Sequence, residues 1–290
     1  MKPLSFTECQ VLPNFCFEVR GETKIWADRS IGFPSFMDQF ADCDSLLARR
    51  DCQIIKDQKK IKIGRLGLAI GGRVRQIYIK RYNAFSLRYR LVSLMAPSGA
   101  VKSLKGAALL RDAGIRTARP LAAVENRLNG MLTKSFFLTE EIFGGKTADA
   151  YWLEDLATAR PSDAWKRRQD FLKSLASLFR SLHAAQIYHN DLKDANILAL
   201  VEAHDSSPVF FLLDLEGVRR YASLSEKRRI KNLVQLNRTL GRYIRRSAKL
   251  YFMKSYLAGA FAEKAVRKRL LQAIVAASDR LDATKETATG

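Results

Sequence analysis

The sequence is short of carboxylates, histidine and cysteine, and it has no long apolar run. Against 50 Lys and Arg stand 29 Asp and Glu, a formal net charge of +21 with a pI near 10.1. Such a surface draws polyanions, whether nucleic acid, anionic lipid headgroups or a phosphorylated glycolipid. The imbalance is steepest between Arg219 and Arg269, where sixteen Lys and Arg accompany two Glu. That stretch is either a membrane-docking surface or a solvated helix face. The four cysteines, Cys9, Cys16, Cys43 and Cys52, lie in the first fifth of the chain and form no Cys-x-x-Cys, and no histidine precedes His183. This excludes a zinc-binding pattern and leaves reduced thiols. Nowhere do 18 apolar residues run together, which excludes a transmembrane helix, and residues 1–8 lack the apolar core of a signal peptide. A cytoplasmic protein is expected. Internal repeats and low-complexity segments are absent too. With 47% apolar and 27% charged residues, the chain has ample core for one large domain or two lobes.

The chemistry that is present is concentrated in His189-Asn190-Asp191-Leu192-Lys193-Asp194-Ala195-Asn196-Ile197-Leu198. His-x-Asp, then Lys two residues on and Asn five residues after the Asp, is the catalytic-loop pattern of protein-kinase-type phosphoryl transfer. The apolar residues 209–213 lead into Asp214-Leu215-Glu216-Gly217, in the place of the metal-binding Asp-x-Gly turn. Asp191 suits a general base for an attacking hydroxyl, a role worth roughly 10²–10⁴ in rate. Lys193 would set a positive charge where the γ-phosphoryl group moves. Asn196 and Asp214 supply the oxygens that suit Mg²⁺, a hard ion that completes its shell with phosphates and water. Together they describe a site for ATP with Mg²⁺. His189 is expected to hold this loop, His183 to be structural and His204 to be solvated.

Upstream, strands are expected at 15–20 and 24–26, and a helix over 35–50 burying Phe36, Phe40, Leu46 and Leu47. Short strands follow at 52–55 and 61–63, and Gly71-Gly72 reads as a hairpin turn before a strand at 74–82. In that strand Val74, Gln76, Tyr78 and Lys80 share one face, opposite Ile77 and Ile79. Lys80 thus stands where a kinase's third strand carries its phosphate-binding lysine. Gly64 and Gly67 do not make a Gly-x-Gly-x-x-Gly loop. The phosphate-covering turn falls on residues 56–60, where Lys59 and Lys60 would hold phosphate by side-chain charge. A helix is expected over 100–113, stopped by Gly114, with Val101, Leu104, Ala108 and Leu109 as its apolar stripe. Residues 81–111 contain no acid, so the Glu that pairs with the strand lysine in protein kinases is missing. The candidate positions hold Lys102, Ser103 and Lys105.

A strand over 136–142 ends in acids and runs into Phe143-Gly144-Gly145, a hinge. Backbone groups near Glu140 and Ile142 are expected to bind an adenine edge. Helices then dominate, at 170–183 with Phe171, Leu175, Leu178 and Leu182 buried, and at 226–244, 249–260 and 263–279. No activation segment and no Ala-Pro-Glu follow Gly217, which points to a small-molecule or glycolipid acceptor. The expected fold is α+β and bilobal, of the protein-kinase-like kind. Residues 1–143 give an N-terminal region and a small antiparallel β-rich N-lobe with one helix, residues 144–283 a mainly helical C-lobe, and residues 284–290 a disordered tail.

Over most of residues 52–258 the sequence resembles the bacterial lipopolysaccharide kinase family of the Kdo/WaaP type. The resemblance rests on Tyr78-Ile79-Lys80-Arg81-Tyr82, on Ala113-Gly114-Ile115-Arg116-Thr117-Ala118-Arg119-Pro120-Leu121 and on the catalytic loop. It closes with Leu233-Val234-Gln235-Leu236-Asn237-Arg238-Thr239-Leu240 and Phe252-Met253-Lys254-Ser255-Tyr256-Leu257. The loop and the metal Asp are shared with many kinase-like families, whereas Ala-Gly-Ile…Pro and Leu-x-x-Leu-Asn-Arg are more particular to this one. The resemblance implies a compact kinase-like fold that phosphorylates core sugars of lipopolysaccharide with Mg-ATP. It puts Lys80 on the phosphates, Asp191 in the role of base, and Asn196 and Asp214 on the metal. Its implied partners are the core glycolipid and the anionic inner-membrane surface, with the protein peripheral on the cytoplasmic side. The sugar, Kdo or heptose, is left open. Members often carry Glu near the position of Ser103, and this sequence departs from them there.

Other readings stay open. The missing helix acid and the glycine-poor phosphate turn suit a pseudokinase or nucleotide-binding scaffold of the same fold. A kinase acting on another small molecule or on a protein is a further alternative. Charge alone would suit a kinase or adaptor acting on ribosomes or RNA. No RNA-binding motif supports that, and no specific nucleic-acid partner is expected.

Overall fold

Period-two alternation of apolar side chains builds the sheet of the first unit. In the computed structural model, which describes residues 12–31, 35–202 and 207–289, the chain divides into two compact units. One is Met1–Ala108 with Ala118–Phe143, the other Leu109–Thr117 with Gly144–Gly290. The expectations placed on residues 1–8, Cys9 and His204 lie outside the described residues, as does the Phe36 side chain.

In the first unit β1 (Phe15–Arg20) and β2 (Thr23–Asp28) are followed by α1 (Ser35–Ala41) and α2 (Cys43–Ala48). Then come β3 (Gln53–Asp57), β4 (Ile61–Ile70), β5 (Arg73–Asn83), α3 (Leu87–Val92), α4 (Gly99–Asp112, of which residues 109–112 fall in the second unit), β6 (Pro120–Leu128) and β7 (Met131–Glu140). The strands pair antiparallel throughout in the order β1-β2-β6-β7-β5-β4-β3. Ile25, Ala122, Val124, Phe136 and Leu138 face one way, against Met37, Phe40, Leu46 and Leu47 of α1 and α2. Trp26, Ala123 and Phe137 face the other way, against Ala100, Val101, Leu104 and Ala108 of α4. Each fully buried Ile, Val, Leu, Met or Phe among them contributes about 1.5–3 kcal/mol.

Three local expectations are corrected. The helix expected over 35–50 is two helices, because Asp42 breaks it and caps α2, accepting the Ser45 N–H at 3.2 Å. Strand β4 extends through Ile70 where a short strand ending at 63 was expected. Gly64 does not end it, because the glycine serves a close approach: a Cβ there would come within 2.6 Å of Leu47 Cδ2 and 2.7 Å of Cys52 Sγ. In α4 it is Leu110 that is fully buried, and Leu109 is half-buried. The cysteines Cys16, Cys43 and Cys52 are free thiols, and burial pushes the Cys43 thiol well above its ordinary pKa.

The second unit begins with β8 (Lys146–Thr147) and a helical segment over 148–156 whose later turns are π-helical. It continues with α5 (Pro161–Ala184), β9 (Ile187–His189), β10 (Ile197–Leu200), β11 (Val209–Leu212), β12 (Val218–Arg220), α6 (Glu226–Arg238), α7 (Arg246–Leu257) and α8 (Lys264–Thr289). Helix α5 starts well before residue 170 because Pro161 suits a first turn, and that polar turn carries no apolar period. Its buried stripe is Phe171, Leu175, Phe179 and Leu182, with Phe179 in place of the expected Leu178. Phe171 stacks on Tyr151 and meets Phe210 edge-on. The helix expected over 226–244 stops at Arg238, and α8 ends at Thr289 where a helix over 263–279 was expected. An apolar cavity of about 500 Å³ is walled by Leu175, Leu236, Phe252, Met253 and Ile274, with Arg246 and Lys249 also lining it. No described helix is long and apolar enough to cross a membrane.

Candidate active site

Two small antiparallel pairings bring the motifs together. Strand β9 pairs with β12, His189 opposite Val218, and β10 pairs with β11, Ile197 opposite Leu212. The loop over 190–196 leaves β9 and enters β10, and the turn over 213–217 leaves β11 and enters β12. The two connections therefore lie side by side in the second unit.

His189 fastens one to the other. Its Nε2–H donates to the Leu213 carbonyl at 2.8 Å and its Nδ1 accepts the Asp191 N–H at 3.2 Å. Those partners select the neutral Nε2–H tautomer, and burial pushes the pKa below the ordinary histidine value. The Leu213 N–H donates to the Asn196 carbonyl at 2.9 Å and the Asn190 N–H to the Gly217 carbonyl at 3.3 Å. A Cβ on residue 217 would stand 2.6 Å from Asn190 Cβ, so the closeness of the two connections requires glycine there.

Within this frame Asn196 Nδ2 donates to the Asp191 carbonyl at 2.7 Å and to Asp191 Oδ2 at 3.0 Å. The amide thus spends its nitrogen on Asp191. Lys193 Nζ lies 2.8 Å from Asp191 Oδ2, and both side chains are partly open to solvent. Asp214 is exposed and left-handed, with φ 55° and ψ 59°, a backbone region that non-glycine residues enter rarely and often at functional sites. The connection that carries Asp191, Lys193 and Asn196 therefore lies beside the one that carries Asp214. The neighbouring Asp194 is buried; its carboxylate accepts the Ala195 N–H at 2.8 Å, and burial raises its pKa. Among the described residues no group of three or more His, Cys, Asp and Glu is placed to hold a metal. An amide oxygen and one carboxylate fit an ion such as Mg²⁺ that takes its remaining oxygens from phosphates and water.

Helix α6 supplies residues that the motif does not contain. Asn232 Nδ2 donates to the His189 carbonyl at 2.6 Å, and Gln235 Nε2 donates to the Asn190 carbonyl at 2.7 Å while its Oε1 accepts the Leu192 N–H at 3.1 Å. Behind them, His183 Nε2–H donates to Asn232 Oδ1 at 3.3 Å and the Tyr256 hydroxyl donates to His183 Nδ1 at 2.8 Å. Burial lowers the His183 pKa from 6.5 to about 4. The signal in the sequence was an amide pair three residues apart among Leu233, Val234 and Leu236, since carboxamides on an apolar helix face need specific partners.

The remaining candidates lie in the first unit. Lys80 pairs across β5 with Ile63 and Phe137, and its Nζ stands 5.0 Å from the centroid of Tyr82. The Tyr82 hydroxyl is 2.9 Å from Ser103 Oγ, and both residues are buried. At the helix position where an acid was sought, a serine thus braces the aromatic ring that flanks the lysine. Glu140 Oε1 accepts from Arg75 at 2.5 Å and from Arg119 at 3.4 Å, and the Glu140 N–H donates to the Arg119 carbonyl. Glu141 receives Arg65 through two bonds of 3.0 and 2.8 Å, and Ile142 follows as the chain leaves β7. The Lys59 carbonyl accepts from Asn83 Nδ2, and Lys60 Nζ lies 4.8 Å from the centre of Phe85.

A seven-stranded antiparallel sheet with a covering helix, followed by a largely helical unit carrying this loop and turn, defines an α+β protein of the kinase-like class. Residues 69–256 match the lipopolysaccharide kinase (Kdo/WaaP) family, and the chain belongs to that family, making it a kinase and hence a phosphotransferase. It is similar in fold to the solved structure described as WaaP in complex with acyl carrier protein. The TM-score is 0.61 at 18% identity, over 87% of this chain and 98% of that one. No curated protein matches the sequence.

Proposed function

We propose that the protein transfers the γ-phosphate of ATP to a hydroxyl of a lipopolysaccharide core sugar, Kdo or heptose, at the cytoplasmic face of the inner membrane. The observation that carries this reading is the Asp191 carboxylate held between Asn196 Nδ2 and Lys193 Nζ. Asp191 accepts the proton of the acceptor hydroxyl as its oxygen bonds to phosphorus and ADP leaves, a contribution of roughly 10²–10⁴ in rate. Lys193 stabilises charge on the phosphoryl group in flight. Asn196 Oδ1 and Asp214 would hold Mg²⁺, which when bound neutralises the triphosphate. Lys80, flanked by Tyr82, binds phosphates, Lys59 adds side-chain charge, and backbone groups at Glu140 and Ile142 take the adenine edge. Lys60, drawn onto Phe85, contributes to phosphate binding less directly.

The short path from Gly217 to the start of α6 at Glu226 leaves little chain to hold a peptide, which supports a glycolipid acceptor. A net charge of +21 suits both that acceptor and an anionic leaflet. The experiment is incubation with Mg-ATP and purified core glycolipid, read by mass spectrometry. One added phosphate supports the reading, and its absence with both Kdo-bearing and heptose-bearing acceptors contradicts it. Ser103 in place of an acid favours a second reading, a nucleotide-binding scaffold, and the same assay separates the two.

A further inference from the structure

The connection between β5 and α4 is amphipathic with its faces exchanged. In α3 and the turn after it Leu87, Leu91, Val92, Leu94 and Met95 are exposed, Leu87 to 67% and Met95 to 97%, while Ser93 is buried. Tyr89 and Arg90 are only half-exposed. At the helical period the five apolar residues and Arg88 fill an arc of about 160°, and Tyr89, Arg90 and Ser93 lie on the other side. Phe85, 46% exposed, extends the patch, stacked on Tyr89 at 6.1 Å with Lys60 over its ring. The polar side is pinned to the sheet. Ser86 Oγ accepts the Tyr89 N–H at 3.2 Å, Ser93 Oγ accepts the Leu132 N–H at 2.9 Å, and the Ser93 carbonyl accepts from Arg127 Nη1 at 3.2 Å. Exposed apolar residues are ordinary when scattered singly; a cluster of this density marks an interaction surface.

Within the segment and its flanks in the chain the charge is of one sign. Residues 81–111 contain no acid. Among the acids of the first unit Asp44 pairs with Arg81 and Lys134, Asp57 with Lys62 and Glu125 with Arg127, and the Glu22 carboxylate accepts the Asn129 N–H at 2.8 Å. Arg88 lies on the outward arc, and Lys59 and Lys60 adjoin it through Asn83 and Phe85. Leucine and methionine tips with basic residues beside them match the boundary between acyl chains and anionic headgroups.

We propose that residues 85–95 are a membrane-docking element whose apolar arc enters the headgroup region of an anionic bilayer, with Arg88 at the level of the lipid phosphates. The inference rests on the proposed membrane-borne acceptor for its use, and its test does not depend on turnover. The whole protein is floated with vesicles of phosphatidylcholine containing phosphatidylglycerol, and with phosphatidylcholine alone. Wild type is expected to float with the anionic vesicles. The exposed-site double variant Leu91→Glu, Met95→Glu should lower the bound fraction at least about tenfold. Val74→Glu, the same change at an exposed apolar residue elsewhere on the sheet, should leave binding unchanged.

Failure of wild type to float, or equal loss in Val74→Glu, overturns the proposal. A wild-type dimer that the double variant converts to monomer, with vesicle binding unaltered, also overturns it, because the arc would then face a second copy. With acceptor embedded in vesicles the double variant should lose turnover that it keeps on soluble, deacylated core acceptor; equal turnover on the embedded form contradicts the proposal. Absence of turnover by wild type on both acceptors would refute the proposed core-sugar acceptor and leave the flotation result standing.

Discussion

His183 of α5 and Asn232 of α6 meet with Nε2 and Oδ1 3.3 Å apart, and Asn232 in turn holds the His189 carbonyl at 2.6 Å. A buried histidine outside the catalytic motif is thereby joined to the loop that carries Asp191. Buried polar chains of this kind specify one arrangement when every member is paired.

The chain makes stability depend on acidity. The folded-state pKa of His183 is depressed to about 4 from 6.5, so the unfolded chain takes up the proton first. Above the unfolded value the histidine is neutral in both states and stability is at its full level. As pH falls through the window from 6.5 to 4, this one group removes about 3 kcal/mol. Denaturant titrations at stepped pH across that window should show the decline, and a flatter slope in His183→Gln.

Asn232→Leu removes the bridge without removing volume. It leaves the His189 carbonyl, His183 Nε2–H and Gln235 Oε1, which Asn232 Nδ2 meets at 3.1 Å, with one partner fewer, at a cost of about 1–3 kcal/mol for a stranded buried group. A loop displaced by an ångström loses about 10²-fold in kcat. Steady-state kinetics should show that fall with little change in KM for ATP.

Gly217→Ala forces the two connections apart, because its Cβ would stand 2.6 Å from Asn190 Cβ. Overpacking of this kind costs about 1–3 kcal/mol, and phosphate transfer should fall with it. Gly259→Ala, where nothing lies within 4 Å, is the control that should behave as wild type in thermal unfolding.

The Lys80 site divides ring from hydroxyl. Tyr82→Phe loses the bond to Ser103, about 1 kcal/mol of stability, and keeps the ring beside Lys80, so KM for ATP should stay near wild type. Tyr82→Leu removes the ring as well. A cation–π contact of about 0.5–2 kcal/mol then disappears, and KM for ATP should rise roughly 2- to 30-fold.

The spacing of His189, Asp191, Lys193 and Asn196 made the loop legible in the sequence, and alternation made Ile77 and Ile79 legible as core. Other features depend on partners distant in the chain. That 190–196 lies beside 213–217 follows from the pairings of β9 with β12 and β10 with β11, which local pattern does not encode. The roles of Asn232 and Gln235 went unread because the carbonyls they serve are more than forty residues away. The contact of Lys60 with Phe85 joins two turns that local pattern does not relate. Segment 85–95 was hidden because its apolar period faces outward, against the rule by which such periods are read.

The account turns on Asp191 as the group that takes the acceptor's proton. The most direct measurement is phosphate transfer from Mg-ATP to purified core glycolipid by Asp191→Asn, beside thermal unfolding and nucleotide binding of the same variant. The account predicts transfer reduced by roughly 10²–10⁴ with unfolding and nucleotide binding near wild type. Undiminished transfer by that variant would contradict it.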